Sequence, residues 1–174
     1  MIYGKKEGNE KRIALDIASF LLNKKQQPVI MCVGSDKVVG DSLGVIVGEI
    51  LKNNPKFKNR VYGDLNSPIN RSNLCEKIEE IKSKHPNSPV IVVDAVLGKD
   101  EEVGCIKTLE NGVLAGGEFG KGYMIGDFSI LGVVSCSGIS ALSFLGAVRL
   151  KIVIELSRKI AESICYSEKL SFGL

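Results

Sequence analysis

The chain predicts a single α/β domain, a three-layer αβα sandwich around a mostly parallel central sheet. Continuous apolar runs, Val29–Val33, Val90–Val93 and Ile130–Val134, read as strands buried on both faces. Between the first two, apolar residues recur at helical spacing. Strand, helix, strand, helix, strand in that order requires parallel strands with crossover helices.

Each element follows from its local pattern. Asn9 is placed to cap a first helix whose apolar positions are Ile13, Ile17, Phe20 and Leu21. Pro28 opens the first buried strand, and Gly34 closes it. Gly34–Gly40 is a loop framed by glycines, holding Ser35, Asp36 and Lys37. From Asp41 the period becomes helical, with Leu43, Ile46, Val47, Ile50 and Leu51 on one face. The turn-rich segment 53–59 leads to a short strand at Val61–Tyr62. The polar segment 63–72, broken by Pro68, reads as a loop at a strand end. Leu74, Ile78 and Ile81 predict a helix from about Arg71 to Lys84, ended by the His85–Pro89 turn. Val90–Val93 then delivers Asp94 at its end.

The later chain reads differently. Cys105–Leu109 and the residues after the turn Glu110–Gly112 predict a hairpin. Gly112–Gly132 holds seven glycines, which suits either a mobile flap admitting a polypeptide or an irregular surface loop. Helical spacing runs from Ile139 to Ile164; an unbroken helix of that length spans about 39 Å, so a break is expected near Gly146.

Composition narrows the function. At 174 residues, 44% hydrophobic and 25% charged, the chain suits one globular domain. A net charge of +3, with lysines interleaved among glutamates, argues against nucleic acid as a partner. The N-terminus lacks a signal-peptide core, and the apolar stretch from Ile139 carries Arg149, Lys151 and Glu155. Neither secretion nor a membrane partner is expected. Five scattered cysteines with no C-x-x-C predict reduced, mostly buried thiols and a cytoplasmic protein.

The residues that remain for chemistry are carboxylates. Asp41 and Asp94 each follow a predicted buried strand, and ligands of open α/β sheets lie at that edge. Each also has a plain structural reading as a capping residue. Two carboxylates sharing a partly desolvated site cannot both ionise easily, so one becomes an acid and the other a base. That chemistry suits amide hydrolysis by an activated water, with no nucleophilic side chain, cofactor or metal. Asp36, Asp64, Asn66 and Asp127 are secondary candidates; Asp127 reads first as a turn aspartate, with reach to the same edge as the alternative. The alternatives are poorer. Gly40-Asp41-Ser42 stands where a phosphate-binding loop needs Gly-Lys-Ser/Thr, and no G-x-G-x-x-G occurs. The single histidine, His85, lies in a turn at the opposite end of the strand from Asp94, and Cys32 is inside a strand. Cys136 is better exposed, but no histidine is placed to activate it.

Four motifs in order carry a resemblance: Gly34-Ser35-Asp36-x-x-x-Gly40-Asp41-Ser42-Leu43-Gly44, Val61-Tyr62-Gly63-x-Leu65-x-x-Pro68, Val93-Asp94-Ala95-x-Leu97-Gly98 and Gly126-Asp127-Phe128-Ser129-Ile130. From about residue 28 onward the chain resembles the YyaC-type sporulation proteins, regarded as relatives of the spore germination protease and, more distantly, of the hydrogenase-maturation endopeptidases. The resemblance implies a phosphorylase/hydrolase-like αβα fold. It also implies a peptidase site in which Asp41 and Asp94 match the germination protease's two aspartates. Gly34, Ser35, Asp36, Gly40, Asn66 and Asp127 would shape the substrate site. In the hydrogenase-maturation enzymes the matching pair and a histidine hold the substrate's nickel; no histidine stands in a third position here, so the metal-free version is expected. The implied partner is a protein or peptide, small acid-soluble spore proteins among them, in the forespore or spore core; a homo-oligomer is compatible with this reading. A second reading, a catalytically silent protein that binds a peptide at the same cleft, draws on Val38 and Val39, which stand where polar loop residues are expected.

Overall fold

The computed structural model describes residues 1–4, 8–22, 24, 26–115, 123–136 and 148–172. Its strands are β1 (Ile2–Tyr3), β2 (Val29–Cys32), β3 (Arg60–Tyr62), β4 (Val90–Gly98), β5 (Ile106–Leu109), β6 (Val113–Ala115), β7 (Tyr123–Ile125) and β8 (Phe128–Cys136). Its helices are α1 (Asn9–Leu21), α2 (Leu43–Lys52), α3 (Leu74–Lys84) and α4 (Leu150–Phe172). Six strands form one sheet in the order β1-β5-β8-β4-β2-β3. The β8-β4-β2-β3 half is parallel, whereas β5 runs antiparallel to β8 and to β1. The expected αβα sandwich with a mostly parallel sheet is therefore what the chain forms.

Strand alternation builds the layers. On one face Ile30, Cys32, Ile91, Val93, Phe128 and Ile130 meet Ile13 and Ile17 of α1, Leu43, Val47 and Leu51 of α2, and Val153, Leu156 and Ile160 of α4. On the other, Val29, Met31, Val33 and Val92 meet Leu74 and Ile81 of α3, with Ile125 of the small β6–β7 ribbon. Burying both faces explains why β2 and β4 are apolar without alternation.

Several local expectations are corrected. Asn9 does not cap α1: Gly8, at φ 88°, holds that position, and the Asn9 side chain donates to the Gly4 carbonyl at 2.7 Å. β5 does not form a hairpin with the residues that follow it. It pairs with β8, while β6 pairs with β7. The long-range partner supplies a sheet edge that the local turn cannot. α3 starts at Leu74, after Asn73. β4 does not end at Asp94 but runs on to Gly98, because β8 continues beside it. Thiols are less buried than expected: Cys32 and Cys105 are buried, but Cys75 is exposed on α3. The expected break near Gly146, and most of the expected flap, lie outside the described residues.

Candidate functional site: a crevice between two strands

The connections reverse direction between β2 and β4. From β2 the chain passes through α2 to β3 on one side; from β3 it returns through α3 to β4 on the other. Such a switch point opens a crevice at the carboxyl ends of the strands. The last rung between the two strands is the Val33 N–H donating to the Val93 carbonyl at 2.8 Å. Beyond it the chain leaves β2, and Gly34 instead donates to the Ile69 carbonyl at 2.7 Å.

Asp94 is the first residue of β4 past that rung. Backbone groups of successive strand residues face opposite neighbours, so Ala95, like Val93, faces the space that β2 vacates. The Ala95 N–H donates to Asp94 Oδ1 at 2.7 Å. This bond draws the Asp94 carboxylate toward the side that β2 vacates.

Asp41 comes to the same place from the loop after β2. It ends a 3-10 turn, Val39–Asp41, which lies beside β4. Two close approaches hold it there. The Ser35 N–H donates to the Asp41 carbonyl at 3.0 Å, and a Cβ on Gly34 (φ 150°) would collide with that carbonyl oxygen. Likewise a Cβ on Gly44 would collide with the Val33 carbonyl, so only glycine lets the first turn of α2 lie on the end of β2. The capping reading of Asp41 does not hold. Ser42 is the N-cap of α2, no side-chain bond caps the helix, and among the described residues the Asp41 carboxylate accepts no hydrogen bond.

Both carboxylates are partly buried, and both are pushed toward neutrality. Burial raises Asp41 to about 6. Burial raises Asp94 to about 7; the Ala95 amide opposes this, and the charge on Asp41 adds to it. Asp41 is thus near enough to act electrostatically on Asp94. The charge on Asp41 favours the protonated form of Asp94, a coupling of the kind that acid–base chemistry on a water uses.

The other expected site residues divide. Gly34 and Gly40 are buried in the wall beside Asp41; Ser35 is half-buried there, its Oγ accepting the Lys37 N–H at 3.3 Å. Asp36 is exposed in the same loop. Asn66 lies in the loop after β3, at the same sheet edge, its N–H donating to Asp64 Oδ1 at 2.9 Å. Asp127 does not reach this edge. It precedes β8 and exchanges bonds with Val90 at the start of β4: Asp127 N–H to the Val90 carbonyl and Val90 N–H to Asp127 Oδ2, both at 2.8 Å. Since β8 and β4 are parallel, the residue before one strand must sit at the start of the other, about 13 Å along the sheet from Asp94 at 3.3 Å per residue. Asp127 is a strand-start anchor.

Sequence reasoning ranked Asp64 second and missed its partner. Asp64 is buried and paired with Lys52. Burial pushes its carboxyl up, but the Lys52 ammonium and the Ser67 and Asn66 amides outweigh that and hold it below the ordinary range. The only hint was Lys52 closing a helix shortly before a strand-end aspartate. His85 hydrogen-bonds the Tyr62 hydroxyl at 3.0 Å, and burial pushes the Cys32 thiol up. Among the described residues no three His, Cys, Asp or Glu side chains gather as metal ligands, and no helix is long and apolar enough to cross a membrane.

Comparison with known proteins agrees with this architecture. The chain is 33% identical over 161 residues to the uncharacterized protein YyaC of Bacillus subtilis (strain 168), covering 91% of this chain and 78% of that one. Its fold is similar to that of a [NiFe] hydrogenase maturation protease, HycI, from Thermococcus kodakarensis KOD1. The TM-score is 0.50 at 19% identity, with 86% of this chain and 99% of that chain covered. Residues 1–163 match the family described as "Protein of unknown function (DUF1256)", and the chain belongs to that family.

Proposed function

We propose that this chain is a peptidase that hydrolyses a peptide bond with Asp41 and Asp94 as its acid–base pair. One observation supports the reading most: Asp41 acts electrostatically on Asp94 at the strand ends beside the switch point, and burial raises the two carboxyls to about 6 and about 7. The fold similarity to a maturation protease supports hydrolysis over simple binding.

In this reading Asp41 is the ionised member of the pair and Asp94 the protonated one. Ionised Asp41 takes a proton from a water whose oxygen attacks the peptide carbonyl carbon. Protonated Asp94 gives its proton to the carbonyl oxygen, so the intermediate is a neutral diol. Asp41 then passes its proton to the amide nitrogen and a diol hydroxyl returns one to Asp94. The C–N bond breaks, leaving an acid and an amine. Gly34, Ser35 and Gly40 form the wall on the Asp41 side, and Asn66 and Asp36 border the opening as substrate contacts.

The finer assignment rests on the sequence resemblance: an endopeptidase of the forespore or spore core, with small acid-soluble spore proteins as the first substrates to test. Purified chain should cleave them, and Asp41→Asn and Asp94→Asn should each slow cleavage by roughly 10²–10⁴-fold with unchanged circular dichroism. Rate against pH should be bell-shaped, falling below about 6 as Asp41 protonates and above about 7 as Asp94 ionises. Unimpaired cleavage by both variants refutes the pair. One observation favours the silent-binder reading: Val39, in the turn that carries Asp41, is 37% exposed. Saturable peptide binding without turnover by the wild type would select it.

A further inference from the structure

We propose that the substrate enters as an extended strand, pairing its backbone with the edge of β4 from Ala95 to Leu97. The proposal rests on the hydrolytic reading for its purpose, but not for its geometry. β4 runs four residues past Asp94 while its neighbour β2 has ended. On the β2 side, among the described residues, no segment is bridged to β4 beyond the Val33–Val93 rung. Alternation turns the backbone groups of Ala95 and Leu97 to that vacated side. The Ala95 N–H is already taken by Asp94 Oδ1 at 2.7 Å, which leaves the Ala95 carbonyl and the Leu97 N–H facing it.

An acceptor followed by a donor at strand spacing recognises polypeptide backbone rather than a nucleotide or sugar, in the manner of strand addition. The side chains agree. Ala95, Val96 and Leu97 are only partly buried, unlike Ile91, Val92 and Val93 in the same strand. The other side of β4 is closed by β8 as far as Gly98, with a register shift at Val96/Leu97 opposite Val133 and Ser135. A bulge at such a place bends a strand and re-aims its end. The stretch from Asp94 to Leu97 is about 13 Å long, enough for about four extended residues. A segment laid there begins beside both aspartates. The occupant is therefore an extended, unfolded stretch of polypeptide and not a folded loop.

The test uses the Asp41→Asn variant of this chain, labelled with nitrogen-15, to hold peptide without turnover. The probe is a mixture of unstructured decapeptides randomised at their central six positions, beside the same mixture N-methylated at alternate residues. Expected is at least a tenfold slowing of Leu97 amide exchange with the unmodified mixture and none with the methylated one. Slowing elsewhere with Leu97 unchanged, or no slowing anywhere, overturns the proposal. Cleavage of the mixture by wild type while Leu97 stays unprotected also overturns it but leaves the aspartate pair standing. Protection of Leu97 with no wild-type cleavage supports the strand edge and removes the hydrolytic reading.

Discussion

Replacing Asp94 by asparagine should stabilise the protein at alkaline pH, and the effect can be sized from the crevice. Asp94 rises from 3.8 to about 7 on folding. The folded state therefore holds a proton that the unfolded chain releases, and stability falls as pH climbs between these values. About three units at 1.36 kcal/mol each amount to about 4 kcal/mol. The side chain is not sealed from solvent, which reduces the expected gain for Asp94→Asn to about 2–3 kcal/mol at pH 8. Asparagine keeps an oxygen to accept the Ala95 N–H, so the local bond survives. For a domain of this size that gain is about 5–10 °C in Tm. Urea unfolding of both proteins from pH 3 to pH 8 isolates the effect, because every other titrating group is shared. The gap should be widest above pH 7 and close below about pH 4. A variant that is less stable at pH 8, or a gap independent of pH, would refute the desolvated-carboxylate argument.

Other perturbations separate scaffold from site. Gly44→Ala should drive a methyl into the Val33 carbonyl, lowering stability by about 1–3 kcal/mol and slowing cleavage even in the folded fraction, since α2 would carry Asp41 away. Asp127→Ala should remove the bond to the Val90 N–H and cost about 1–2 kcal/mol by urea unfolding, with the rate per folded molecule unchanged; a rate collapse would put Asp127 back in the site. Lys52→Met should strand the buried Asp64 carboxylate and cost about 1–3 kcal/mol at pH 7. Because Asp64 is held below its ordinary value, its contribution is present above about pH 4 and fades as pH falls further. The difference between Lys52→Met and wild type should therefore shrink in acid, and a constant difference would count against this pairing.

What the chain declares by itself is what local periodicity encodes. Three apolar runs, the first bounded by Pro28 and Gly34, became β2, β4 and the core of β8, since a strand buried on both faces has no polar alternative. Their order announced parallel pairing, and glycines 34 and 40 marked the loop that carries Asp41. The ends of elements were not legible, because partners set them. β4 outruns its apolar run since β8 lies alongside it, and β5 ignored its own turn to join β8. Nor could one-dimensional spacing tell the two ends of the sheet apart for Asp127, whose short G-D-F-S motif looks like that of a site residue. Only the parallel register of β8 against β4 sends it to the far edge. The titration of Asp41 and Asp94 is likewise a tertiary property. Desolvation and the field of one carboxylate on the other depend on what surrounds each group, and fifty residues of intervening chain carry no trace of it.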